Sequence, residues 1–310
     1  MERWGSKEHF CRKGITMPRE LKYEHIDVFT DKPLGGNQLA VFHSPGQITV
    51  VQMQAIAREM NFSETTFVFP SKTEGVDARV RIFTPAEEIP FAGHPTIGTA
   101  FVIVSKTKKK LERVVLELGV GKIEVDVEYR GTKPSLLTMH QPLPVFGSAL
   151  QNREQAARAL GVTVDDILGG GVVSNGLDFL IIEATALQAV QNARCNIEDA
   201  VKVIKRHGVH AIYVFARLTG KGPNVHARLF APTLSVIEDP ATGSAAGALG
   251  GYLARILKFP IKLHLSIEQG IEMRRPSLIS VDVNSERGTI EAVAVSGKVV
   301  PVGEGVIRLP

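Results

Sequence analysis

Cysteine is nearly absent from this chain: Cys11 and Cys195 are the only two among 310 residues. Neither lies in a CxxC or beside a histidine cluster, so a disulfide framework is excluded and each is expected as a free thiol. Aromatic residues are also sparse at 6%, with one Trp and four Tyr, and the formal net charge is only +4. A nucleic-acid binder more often carries a dense basic face interleaved with stacking aromatics, so no nucleic-acid partner is expected. No run approaches the roughly 18 apolar residues of a membrane helix, which argues against a membrane partner. Residues 1–17 lack the apolar core of a signal peptide, and a cytoplasmic location is expected. These residues show neither strand nor helix period. Residues 1–20 are therefore read as a loose N-terminal extension, with Met17 an alternative start. There is no P-loop, GxGxxG or GxSxG nucleophile elbow, and nucleotide binding is disfavoured. No HExxH occurs, and His207 and His210 lack carboxylate or cysteine partners at metal spacing, so no metal is expected.

What the chain does contain is one phrase that occurs twice. RIFTPAEEIPFAGHPTIGTA runs from Arg81 to Ala100, and RLFAPTLSVIEDPATGSA from Arg228 to Ala245. Arg81/Arg228, Ile82/Leu229, Phe83/Phe230 and Pro85/Pro232 match. The copies then converge on His94-Pro95 and Asp239-Pro240, after a loop that this alignment makes two residues longer in the first copy. A spacing of about 145 residues is far beyond the roughly 20–50 of solenoids and propellers. It predicts two similar halves facing each other, with one polar turn from each at the seam. At 44% hydrophobic and 22% charged, with 29 glycines, the composition is that of an ordinary globular chain of roughly two domains.

Strand signals appear at 23–30, 39–43, 65–69, 78–83, 114–118 and 122–129, with helical spacing at 49–60 and 96–106. The turn Gln141-Pro142-Leu143-Pro144 is the predicted boundary. Beyond it, helices are read at 151–160, 164–168 and 243–257, and strands at 177–183, 211–216, 225–230 and from 261 onward. The glycine run Leu168–Gly171 reads as a loop. The predicted division is 1–20 as extension, 21–140 as first lobe with a strand near 301–310 returning to it, and 145–300 as second lobe. Each lobe is expected to wrap β-strands on a central helix entered through one of the repeated turns.

A proline at a first helical position leaves neighbouring backbone N–H groups free at the helix end, which favours anions. Two such ends facing one cleft would hold a carboxylate or stabilise developing negative charge. Taken singly, HP and DP are also ordinary helix starts, with Asp239 an N-cap; their duplication favours the functional reading. His94 at a helix start is expected to be neutral, because the positive dipole end lowers an imidazole pKa. Glu64, in Asn61-Phe-Ser-Glu-Thr-Thr, borders an apolar strand. There it is either a cap or a carboxyl whose pKa desolvation raises toward the range useful for proton transfer.

With DVFTDKPLGGNQLAVF (27–42), NFSETTFVFP (61–70), FAGHPTIGTAFV (91–102) and EDPATGSAAGALGGYL (238–253) in this order and spacing, the sequence resembles the PhzF family of phenazine-biosynthesis isomerase-like proteins. The resemblance runs from about residue 21 to the C-terminus, with Gln38 a departure where relatives often carry Pro. It implies an α+β, diaminopimelate-epimerase-like fold of two pseudo-symmetric domains, each a curled, mostly antiparallel sheet around a central helix. Relatives that racemise use a cysteine at each helix start. The resemblance places Gly93 and Asp239 there, so two-thiol racemisation is excluded. It implies a cofactor-independent isomerase that moves a proton between carbons of a small carboxylated substrate, of the trans-2,3-dihydro-3-hydroxyanthranilate isomerase type. Glu64 would be the general acid/base, His94 and Asp239 its partners, and Asn37, Gly93, Gly243 and Ser244 the substrate contacts. A homodimer is expected on the same ground. Two alternatives stay open: an epimerase using Glu64 and Asp239 as opposed acid/base groups, or a catalytically idle binding protein.

Overall fold

The computed structural model describes residues 19–222 and 224–309. Most of the predicted extension, with Cys11 and Met17, lies outside the described residues. Arg19 and Glu20 do not belong to an extension: the first strand, β1, spans Arg19–Val28. It continues into β2 (Asn37–His43), α1 (Val50–Met60), β3 (Glu64–Phe69), β4 (Ala78–Phe83), β5 (Glu88–Ile89), α2 (Gly93–Lys106), β6 (Arg113–Leu118), β7 (Gly121–Arg130) and β8 (Lys133–Gln141). After the turn at 142–144 come β9 (Val145–Ala149), α3 (Arg153–Leu160), β10 (Ile167–Ser174), β11 (Asp178–Ala184), α4 (Leu187–Asn192), α5 (Ile197–His207), β12 (Ala211–Arg217), β13 (Val225–Ala231) and β14 (Val236–Asp239). The chain closes with α6 (Gly243–Ile256), β15 (Lys262–Gln269), β16 (Ser277–Glu286), β17 (Thr289–Gly297) and β18 (Val299–Leu309).

The duplication is visible in the pairing. In the first half, β1–β2 is antiparallel, β2–β3 parallel, β3–β4 antiparallel, β4–β6 parallel, and β6–β7–β8 antiparallel. In the second half, β10–β11, β11–β12, β12–β13, β13–β15 and β15–β16–β17 repeat the same alternation. β18 adds to β1 and β9 to β10, each antiparallel, and β8–β17 joins the two halves edge to edge. The fold is α+β, with curled and mostly antiparallel sheets. Helices α2 and α6 are buried along most of their length, as the cores of the two halves. A helix apolar all round is stable only when enclosed in this way. Among the described residues, no helix is long and apolar enough to cross a membrane.

Several segments depart from the sequence reading: β8, β9 and α4 have no counterpart in it, and the helix expected at 164–168 is a single tight turn over Val164–Asp166, with Ile167 and Leu168 already in β10. The glycine run is not a loop but part of β10, where a Cβ at Gly170 would stand 2.2 Å from the Ile181 carbonyl of the neighbouring strand. Glycine is there for close approach, not for a turn. Helix α5 is capped by Asn196, whose side chain accepts from Asp199 N–H, and ends at Gly208 with φ 65°. Those cap residues were a legible start and stop signal.

Candidate functional site

The strand register decides which side chains meet. β2 and β3 run parallel with Leu39 opposite Glu64, so Asn37 and Glu64 both lie at the entry ends of their strands. α1 ends at Asn61 in a left-handed conformation (φ 51°), which turns the chain through Phe62 and Ser63 into β3. In the second half, β11 and β12 are parallel with Phe179 opposite Ala211, which brings Leu177, His210 and Ala211 to the equivalent end. The N-termini of α2 and α6 close the gap. A Cβ on Gly93 would stand 2.4 Å from Ser244 N and 2.7 Å from Gly243 Cα, so the two helix ends touch backbone to backbone. Gly93→Ala therefore forces the halves apart, since none of these neighbours is a flexible side chain. We expect it to cost about 3 kcal/mol or more, together with activity. Gly169→Ala, whose Cβ meets nothing within 4 Å, serves as the matched control in thermal unfolding. Equal melting temperatures for the two variants would refute tight apposition.

The structure also corrects the alignment of the repeat. Arg81 pairs with Glu88 and lies over the Phe83 ring, while Arg228 pairs with Glu238 and lies over Phe230. Both helices begin at the glycine five residues after that glutamate. The equivalents are thus Glu88-Ile-Pro-Phe-Ala-Gly-His and Glu238-Asp-Pro-Ala-Thr-Gly-Ser. His94 corresponds to Ser244, and Asp239 to Ile89. Asp239 is not an N-cap; it ends β14, and the caps are Ala92 and Thr242. Gly93 is thus the first residue of α2, whereas Asp239 lies four residues before α6, and neither position nor either cap holds a thiol. Pro95 sits in the third helical position of α2 and Pro240 lies before α6, so neither opens a helix. Thr65 faces Phe83 as Ile212 faces Phe230, so Glu64 corresponds to Ala211 and Ser63 to His210.

One cavity collects Glu64, His94, Asp239, Gly93, Gly243 and Ser244 against an apolar wall that includes Ile89, Leu177, Phe179 and Leu229. Asn37 is not in its lining; it stands behind, donating from its amide to Asp239 Oδ1 (2.8 Å) and the Ala241 carbonyl (2.9 Å), with His94 Nδ1 at 3.1 Å. Thr242 Oγ1 donates to the other oxygen of Asp239, and Gln269 Nε2 to its carbonyl at 2.8 Å. Gln141 donates to the Gly243 carbonyl (2.9 Å) and accepts from Asn175, which also donates to the Ser244 carbonyl at 2.7 Å. Ser63, Thr242, Gln141, Asn175 and Gln269 were not singled out from sequence. Their partners lie far along the chain, and no local pattern marks them.

The electrostatics separate the roles. Burial lowers the His94 pKa to about 3, so the ring is neutral. Burial, with Asp239 nearby, raises Glu64 well above the ordinary carboxyl value. Burial also raises Asp239, against hydrogen bonds from Ser63, Thr242 and Asn37 that favour its ionised form. Glu64 Oε2 and His94 Nε2 lie 3.4 Å apart, and each is a buried atom without a hydrogen-bond partner among the described residues. Unsatisfied atoms of this kind are rare in native proteins and need a reason. No group of His, Cys, Asp and Glu that could hold a metal ion occurs among the described residues.

The sequence matches the phenazine biosynthesis-like protein family over residues 26–305. It is 37% identical over 287 residues to the trans-2,3-dihydro-3-hydroxyanthranilate isomerase of Pseudomonas chlororaphis, covering 93% of this chain and 99% of that one. The crystal structure of a phenazine biosynthesis protein of the PhzF family from Bacillus anthracis is similar with a TM-score of 0.83 at 26% identity, covering 93% of this chain and 99% of that one. A hydroxyproline epimerase from Agrobacterium vitis shares the fold, with a TM-score of 0.68 at 12% identity over 94% of this chain and 93% of that one.

Proposed function

The chain belongs to the phenazine biosynthesis-like protein family, and from that premise we propose a cofactor-independent isomerase in which Glu64 moves a proton between two carbons of a small carboxylated substrate. The observation that carries this reading is the unpartnered pair of Glu64 Oε2 and His94 Nε2 inside a largely apolar cavity. As carboxylate, Glu64 takes a proton from a carbon acidified by an adjacent carboxyl or unsaturated system. The electron pair shifts along that system, and the carboxyl returns the proton to a second carbon, so bonds and charge balance without an oxidant or reductant. His94 stays neutral and hydrogen-bonds the reacting group. The free N–H groups at the starts of α2 and α6 face the accumulating negative charge.

Asp239 suits a supporting role better than that of an opposed acid/base. Both of its oxygens already accept hydrogen bonds, from Asn37 and Thr242. This favours isomerisation over epimerisation by a Glu64–Asp239 pair. The cavity holds about 30 Å³ of free space, roughly one water molecule. Residues 21–140 with β18, and residues 145–300, would therefore separate as lobes to admit substrate and close around it.

The test is incubation with trans-2,3-dihydro-3-hydroxyanthranilate in D₂O, followed by NMR. Isomerised product is expected, carrying deuterium at the newly protonated carbon to the extent that the Glu64 carboxyl exchanges with solvent before it returns the proton, and unchanged substrate would overturn the reading. Because the base must be ionised and its pKa is raised, kcat/KM should climb with pH through an inflection above the ordinary carboxyl value of 4.5. An inflection at or below that value would remove Glu64 from the role.

A further inference from the structure

We propose that His210 is a specificity-determining residue of this cavity, its Nε2–H reading a hydrogen-bond acceptor on the part of the substrate that faces the second half of the molecule. His210 lines the cavity, on a wall otherwise built there from Leu177, Phe179, Leu234 and Val236. Its ring is oriented by the protein: the backbone N–H of Asp178 lies 3.2 Å from Nδ1. A backbone nitrogen can only donate, so Nδ1 carries the lone pair and the hydrogen sits on Nε2. The main chain is held as well. His210 N–H donates to the Asp178 carbonyl at 2.8 Å, and its own carbonyl accepts from Thr233 Oγ1 at 3.4 Å.

What remains is an imidazole N–H with no protein partner among the described residues, on a side chain 37% exposed whose other nitrogen has the Asp178 carboxylate at 3.8 Å. The other polar side chains of the lining that could read a distal group are committed. Thr84 Oγ1 closes its own turn with Ala86 and Glu87, and Thr242 Oγ1 serves Asp239. The equivalent position in the first half, Ser63, also serves Asp239. His210 is thus the member of that pair left free for a ligand. The inference rests on the isomerase reading for the reacting end of the substrate and adds a second requirement. The carboxylated substrate also bears a hydroxyl or carbonyl oxygen toward β11 and β12.

Benzoate and its three monohydroxylated isomers are suitable stable probes, with dissociation constants measured calorimetrically. In the wild-type protein at least one hydroxylated isomer should bind about tenfold more tightly than benzoate, the upper range for one hydrogen bond. His210→Phe should erase that preference while leaving benzoate affinity in place, and His210→Gln, which keeps an N–H donor, should restore part of it. No isomer gaining over benzoate in the wild type, or a preference that survives His210→Phe, overturns the proposal. Failure of the isomerase reading is distinguishable, because it appears as unchanged substrate with the wild-type protein, a measurement independent of these affinities.

Discussion

Glu64→Gln is expected to lower kcat by about three orders of magnitude, within the usual contribution of a positioned acid/base, while leaving the fold intact. The reasons lie in what the side chain does and does not hold. Glu64 opens β3, where its backbone pairs with β2 through Leu39, and that pairing survives any side-chain change. Its Oε2 makes no hydrogen bond within the described residues, so an amide there breaks no existing bond. Ionised Glu64 would also face Asp239 across a desolvated site, the second cause that raises its pKa. A neutral isostere removes that repulsion, so the variant should melt at or slightly above the wild-type temperature. Solvent-deuterium incorporation and thermal unfolding, measured on the same preparation, check both halves of the prediction. Exchange near the wild-type rate removes Glu64 from the mechanism. Lost exchange with a collapsed melting temperature would mean that the residue is structural.

Much of this site was legible before the fold was known. Glu64, His94, Asp239, Gly93, Gly243 and Ser244 line one cavity, and Asn37 stands directly behind it. What misled was the pair of X-Pro dipeptides, which drew His94 onto Asp239. The better anchor was Glu-x-Pro, at Glu88 and Glu238, because both glutamates clasp the arginine that begins the repeated phrase. With the register corrected, the asymmetry of the site becomes explicit. Glu64 stands where its counterpart is Ala211, His94 where it is Ser244, and Asp239 where it is Ile89. Each chemical group is present in one half only. The amides of Gln141, Asn175 and Gln269 could not be read from sequence, because each bonds to elements brought near only by tertiary folding. Gln141 illustrates the difficulty: a Cβ on Gly247 would sit 1.8 Å from its Oε1, so its place depends on a glycine in a helix more than a hundred residues away.

The same duplication yields a second large effect, in stability. Arg228 and Arg81 hold equivalent positions, equivalent carboxylate partners and equivalent aromatic rings, yet their truncation should cost very different amounts. Arg228 is 3% exposed. It grips Glu238 through two hydrogen bonds of 2.8 Å, and its remaining nitrogen donates to the carbonyls of Val190 (3.1 Å), Gln191 (3.2 Å) and Ala193 (2.6 Å). Those carbonyls lie at and just past the end of α4, where Ala193 N–H also donates to Val190 and the Arg194 guanidinium to Gln191 and Ala193. Arg228→Ala leaves the half-buried Glu238 carboxylate without its partner, which is expected to cost about 3–5 kcal/mol, while the carbonyls keep second donors in Ala193 N–H and Arg194. Arg81 makes the same clasp with Glu88 at the surface, with 22% of its side chain exposed and no carbonyls to satisfy. Arg81→Ala should cost about 1 kcal/mol or less, because water takes over the freed carboxylate. For a chain of this size that corresponds to a fall of roughly 5–8 °C against about 1.5 °C in melting temperature. Arg228→Lys should recover only part of the loss, since an ammonium cannot reproduce the planar fork. Equal losses for the two alanine variants would overturn the argument. A further consequence reaches the site itself: Glu238 adjoins Asp239 on β14, so Arg228→Ala should also reduce kcat at temperatures well below its melting point, whereas Arg81→Ala should not.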